Sequence, residues 1–161
     1  MITRIQNYGL QDIENSIRYL LEKSSNSEEV RQLAIEIAAG KEDPIAAVYD
    51  WVKGNVAYVS DPIDVEGDVI ELFISPVRMV KNYRKGKTIA GDCDDMALTT
   101  TALLQAVGIK SRVVLLDMAG GGLDHAICEA YSEKLDKWVM IDASATMPLG
   151  WEETHVQKLV I

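Results

Sequence analysis

Cys93 stands in the run Gly91-Asp92-Cys93-Asp94-Asp95-Met96-Ala97, one of two cysteines in the chain, with three carboxylates around it. Asp92 at an N-cap would put Cys93 in the first helical position. Unsatisfied backbone N–H groups and the positive end of the helix dipole favour an anion there, and a thiolate is one. Asp94 and Asp95 then fall in the first turn, where their charge pushes the thiol back toward its neutral form. An imidazolium a few ångströms from the sulfur would outweigh carboxylates that point into water. The residue types therefore specify nucleophilic chemistry on condition that the fold delivers a base.

Two histidines are available, His125 and His155. His125 opens the strand-like segment "HAICEAYS", and "KWVMIDA" follows it closely. A hairpin with Tyr131 opposite Asp136 around the four-residue loop Ser132 to Leu135 would pair Glu129 with Trp138, Ile127 with Met140 and His125 with Asp142. Opposed residues share a sheet face, so Asp142 would accept a proton from one ring nitrogen of His125 and turn the other toward Cys93. His155, in "EETHVQKLVI", has no such context and reads as a surface or tail residue. Cys128 lies three residues after His125, so alternation turns it to the opposite face and into the core. That excludes a zinc site from Cys93, Cys128 and His125, and no C-x-x-C spacing supports one.

The elements that must position these groups follow from periodicity. Ile13, Ile17, Leu20 and Leu21 recur at helical spacing, as do Val30, Leu33, Ile37 and Ala38. "GKEDP" separates them from a third helix, "IAAVYDWVK", with Gly54 as its expected left-handed stop. Residues 55–75 read as short strands and an ordered loop, "PVRMVKNYRKGK" as a short helix opened by Pro76, and "MALTTTALLQAVG" as a helix stopped by Gly108. "SRVVLLD" adds a third strand to the two of the hairpin. The fold class is α+β, a single domain over 1–161: a helical part at 1–54, a catalytic core at 55–143 and a C-terminal tail at 144–161.

Composition agrees with this outline. The chain has 161 residues, 48% of them hydrophobic, enough for one real core. A formal net charge of -9 argues against nucleic acid or an anionic membrane as the main partner and favours cationic or neutral ones. Two cysteines make no disulfide framework, no 18-residue apolar run is present, and the first residues lack a signal-peptide core. The expectation is a cytoplasmic protein, virion-associated if phage-encoded, with its oligomeric state open.

Gly91-x-Cys93-x-Asp95-x-Ala97 at a helix start, His125-Ala126 on one strand and Trp138-Val139-x-Ile141-Asp142 on the next resemble the transglutaminase-like, papain-like cysteine enzyme superfamily over about Asn55 to Ala143, and the acidic trio resembles its short bacterial and phage members. The resemblance implies a nucleophile helix packed on a small antiparallel sheet, with Cys93 as nucleophile, His125 as general base and Asp142 as its partner. It implies an oxyanion donor in the Cys93 amide, and Asn82 or Tyr83 from the preceding segment is the candidate for a second. It places Trp138 beside the site. Ile127 departs from the aromatic residue that many relatives carry after His-Ala.

The function expected is acyl transfer through a thioester on a protein or peptide substrate, as a peptidase or amidase. The alternatives are a protein-glutamine transglutaminase or deamidase, and a non-catalytic interaction or phage assembly module. No cofactor and no metal is expected, because the acidic spacing lacks the alternating ligands of an EF-hand. Asp92 is expected to cap the helix, while Asp94 and Asp95 would cap it or meet a basic substrate group. "DMAGGGLD" at Asp117 to Asp124 reads equally as a lid or as a plain connection. Trp51 and Trp151 read as packing residues.

Overall fold

The computed structural model describes residues 2–5 and 9–161; Met1 and residues 6–8 of the expected helical part lie outside them. After a short first strand, β1 (Ile2–Ile5), come three helices: α1 (Leu10–Ser25), α2 (Glu28–Ala38) and α3 (Pro44–Asn55). Their starts follow local chemistry. The Ser27 hydroxyl accepts from the Val30 N–H, and the Asp43 carboxylate accepts from the Ala46 N–H, with Pro44 at the first helical position. Gly54 does not stop α3 in a left-handed conformation: the helix runs through it to Asn55 and leaves by an extended Val56 directly into a strand.

That strand, β2 (Val56–Tyr58), pairs in parallel with β4 (Ile89–Gly91), the segment that leads into the nucleophile helix. β1 (Ile2–Ile5), absent from the expected helical part, pairs antiparallel with β3 (Glu71–Ile74). Between β3 and β4 lies α4 (Pro76–Arg84), capped by the Ser75 hydroxyl at the Arg78 N–H. Next come α5 (Cys93–Ala106), which Gly108 ends at φ 82°, then β5 (Ser111–Asp117), β6 (His125–Ser132), β7 (Lys137–Ile141) and β8 (Gln157–Val160). The last four form an antiparallel sheet in the order β7-β6-β5-β8, so part of the expected tail is an edge strand on β5.

α5 is the axis of the molecule. From Asp94 to Leu104 every residue is buried, because α1 to α4 cover part of it and the sheet covers the rest. Such a central position demands small or apolar side chains on all sides, and beyond the first turn α5 supplies them as Met, Ala, Leu and Thr. The sheet's α5-facing side, with Val113, Leu115, Ala126, Cys128 and Ile141, joins the main core. Cys128 is fully buried there, as expected, and burial pushes its thiol up to about 12. The chain is an α+β protein.

The hairpin register differs from expectation by two residues. Tyr131 opposes Trp138, Glu129 opposes Met140 and Cys128 opposes Ile141, so the loop is residues 133–136. Asp136 takes the left-handed conformation (φ 51°), which a short polar side chain tolerates, and so belongs to the turn and not to the ladder. A shift of two preserves the faces, since side chains alternate with period two.

Candidate active site

His125 and Asp142 meet beyond the last ladder pair. His125 Nε2 lies 2.6 Å from Asp142 Oδ2, although the two residues are not directly opposed. Asp142 is held by its own turn: its Oδ1 accepts from the Ser144 N–H (3.0 Å), the Ser144 hydroxyl (2.6 Å) and the Ala145 N–H (3.2 Å). Burial pushes this carboxyl up, but the bonds from His125 and Ser144 prevail and its pKa lies below the usual value. His125 moves the other way, to about 10, first through Asp142 and then through a hydrogen bond with Cys93, against the effect of its own burial. With Nε2 committed to Asp142, Nδ1 is the ring nitrogen left for the sulfur. The fold thus brings Cys93, His125 and Asp142 together from a helix start, a strand start and a strand end.

Asp92 occupies the N-cap of α5, but its side chain makes no cap bond and its Oδ1 is buried without a partner. The capping is done from the other direction, by Asp95. Its carboxylate accepts from the Asp92 N–H and, at 2.6 Å, from the Ile74 N–H, tying the helix start to β3. This explains Gly91. A Cβ there would sit 2.5 Å from Asp95 Cβ and Oδ2, so only glycine leaves room for the Asp95 side chain against the backbone at position 91. Asp95 is 1% exposed and its pKa is pushed up to about 8 by burial, then by Asp92 and Asp61. Already bonded and enclosed, it is a positioning residue and not the substrate contact that the sequence suggested.

Asp94 is 6% exposed, forms part of the cleft floor, and has an Oδ1 without a partner. Burial and then contacts with Glu71 and Asp92 raise its pKa well above the usual carboxylate value.

The cleft at Cys93 and His125 has a volume of about 500 Å³. Three expected residues do not line it. Asn82 and Tyr83 belong to the C-terminal half of α4, where the Asn82 carbonyl caps the helix end and the Tyr83 ring packs edge-on against Trp51 at 4.9 Å. Trp138 is on the same sheet face as Asp142 but four residues along β7, roughly 13 Å away. Its ring lies under Arg112 at 3.8 Å and edge-on to Tyr131.

The sequence reasoning missed Tyr58, Asp61, Glu71 and Asp124, which all line the cleft. Tyr58 pairs with Gly91 in the parallel β2–β4 ladder and so stands beside the Cys93 turn. Burial and the Cys93 charge raise its phenol pKa, which keeps the hydroxyl a donor. The density of acids in "SDPIDVEGDVIE" was the available signal. The loop before His125 is pinned: Asp117 accepts from the N–H groups of Ala119, Gly120 and Gly122, and Asp124 accepts from Met118. A connection held by four backbone N–H groups is not a free lid.

The sequence pattern of the transglutaminase-like superfamily matches residues 31–143, and the chain belongs to that superfamily. Among solved structures it is similar to a candidate cysteine protease from Cytophaga hutchinsonii, with 21% identity and a TM-score of 0.58 over 98% of this chain and 53% of that one. It is also similar to a candidate protease from Parabacteroides distasonis, with 14% identity and a TM-score of 0.57 over 83% of this chain and 26% of that one. The chain therefore spans about half the length of the first and a quarter of the second. No curated protein matches the sequence. These likenesses show the fold that superfamily membership implies. No helix among the described residues is long and apolar enough to cross a membrane.

Proposed function

We propose that this protein is a cysteine-dependent acyl-transfer hydrolase acting on peptide or carboxamide bonds through a thioester. The observation that carries the reading is His125 engaged by Asp142 on one side and by Cys93 on the other, at the wall of an open cleft. Cys93 Sγ, its proton already held on His125, attacks the carbonyl carbon; the imidazolium then protonates the departing amine and leaves a thioester. Water, deprotonated by His125, resolves the thioester to the acid and restores the thiol. The Cys93 amide and the Tyr58 hydroxyl are the oxyanion donors in this reading, replacing Asn82 and Tyr83, which lie away from the cleft. An amine in place of water would give transamidation, the chemistry of a transglutaminase, and ammonia leaving from a glutamine would give deamidation.

Mass spectrometry of the protein incubated with a peptide library and a primary amine separates the three outcomes. We expect shortened or deamidated peptides and an acyl adduct on Cys93. An unchanged library, with an unmodified Cys93, would favour a non-catalytic interaction or phage assembly module.

A further inference from the structure

Apart from the three converging groups, the cleft carries charge of one sign. Asp61, Glu71, Asp92, Asp94 and Asp124 line it, and no lysine or arginine does among the described residues. The first four face one another: Asp61 feels the charges of Asp92 and Glu71, and Asp94 contacts Glu71 and Asp92. None of the ion pairs among the described residues involves them. Buried carboxylates without counter-charge cost stability, and a proton relieves that cost only while no cation is present. Asp94, more than nine-tenths buried with an unpartnered oxygen at the cleft floor, is the residue most in need of one.

A small metal ion and a basic side chain are the two chemistries available. Asp92, Asp94 and Asp95 bring one ligand atom each within 4.8 Å of one another. Asp95, however, already accepts two backbone N–H groups, and a hard divalent ion takes six or more oxygens. The cleft also has a rim to which a metal would be indifferent. Ile63 and Val69, 66% and 53% exposed, bridge to each other and line it. A lysine or arginine needs both features, an apolar wall for its methylene stem and carboxylates for its head.

We propose that the cleft is a subsite for a lysine or arginine side chain of the acyl donor, its head received by Asp61, Glu71 and Asp92 above the Asp94 floor and its stem along Ile63 and Val69. This rests on the acyl-transfer reading of Cys93 and adds to it the class of substrate: a basic residue close to the scissile carbonyl.

The test has one arm that needs no turnover. Cationic trimethylammonioethyl and anionic sulfonatoethyl methanethiosulfonates are compared as modifiers of Cys93, read by intact mass, with Cys128 shielded by burial. The cation-to-anion rate ratio should exceed that of the unfolded chain by at least about tenfold. It should collapse in Asp61→Asn/Glu71→Gln, where Asn keeps a carbonyl to accept the Leu72 N–H; Glu71→Gln alone gives a partial loss if the double variant misfolds. In the second arm, matched peptides with lysine, norleucine or glutamate should differ mainly in KM, lysine leading norleucine by roughly tenfold. A ratio equal to that of the unfolded chain, or a preference untouched by the substitutions, overturns the subsite. So does loss of the preference, with a raised Tm, on adding millimolar Ca²⁺ or Mg²⁺, because the acids would then be a metal site. Charge selection by thiosulfonates with all peptides inert upholds the subsite and rejects acyl transfer.

Discussion

Strand β6 carries two buried acidic arrangements within reach of its length, and they are built on opposite terms. Glu129, 3% exposed, meets two cations: Arg112, its register partner on β5, donates to it through Nε at 2.9 Å and Nη2 at 2.7 Å, and Lys158 of β8 reaches its other oxygen. Four residues away along the strand, His125 faces the cleft whose acids Asp61, Glu71, Asp92 and Asp94 have no ion-pair partner among the described residues. The first arrangement is closed, its charges balanced by neighbours that the sheet register brings together. The second is open to a cavity and left with an excess of negative charge. The proposed subsite for a basic side chain rests on this difference.

The sharpest way to break this contrast is to remove the imidazole. His125→Ala should lower turnover by about a thousandfold and should abolish any advantage of Cys93 over an unfolded control in iodoacetamide alkylation; unchanged alkylation would leave the open region without chemistry. Next is the closed region. Glu129→Ala should cost about 3 kcal/mol by denaturant unfolding, since it strands Arg112 and Lys158, while Cys93 alkylation stays at the native rate. Gly91→Ala should cost about 2 kcal/mol and slow the Cys93 reaction as well, because the added methyl displaces Asp95 from β3 and the helix start.

Asp94→Asn gives a smaller effect of opposite sign. The Asp94 pKa is raised in the folded state, so above the ordinary carboxylate value unfolding releases a proton and the wild type is penalised. The variant should therefore be more stable by about 1 kcal/mol at pH 8, with the gain vanishing near pH 4. A loss at pH 8 would show that the acid is balanced after all. The smallest effect is a limb in the pH profile. The His125 pKa is raised to about 10, so the stability that its proton contributes is complete below about 6.5 and is lost as pH rises through about 10. Alkylation of Cys93 relative to the unfolded chain should hold its advantage to about pH 9 and lose it above 10.

The closed region was only partly visible in the sequence, and the open one less so. Helix starts at Ser27, Asp43 and Pro76, the stop at Gly108 and the three strands after it are local events, set by side chains a few residues from the backbone groups they satisfy. The hairpin was legible to within two residues. The error was harmless to the site because alternation has period two, so His125 and Asp142 stayed on one face. Asp95 reads from the sequence as either a helix cap or a substrate contact, and the choice is made by partners, the Ile74 N–H and the space left by Gly91, that depend on β3 packing against α5. Asn82, Tyr83 and Trp138 were placed at the site by likeness of order along the chain, and distance in space moved them off it.

By itself the sequence determined an α+β chain with a thiol at a helix start, a histidine opening a strand and an aspartate closing the next, since each of these depends on spacing along a few residues. Only the tertiary structure decided that Asp61 and Glu71 share a cavity with that thiol, that Asp95 is a strut and that Glu129 is neutralised. Electrostatic cost depends on the distance between charges and on their exclusion from water, and both are fixed when separate segments pack together.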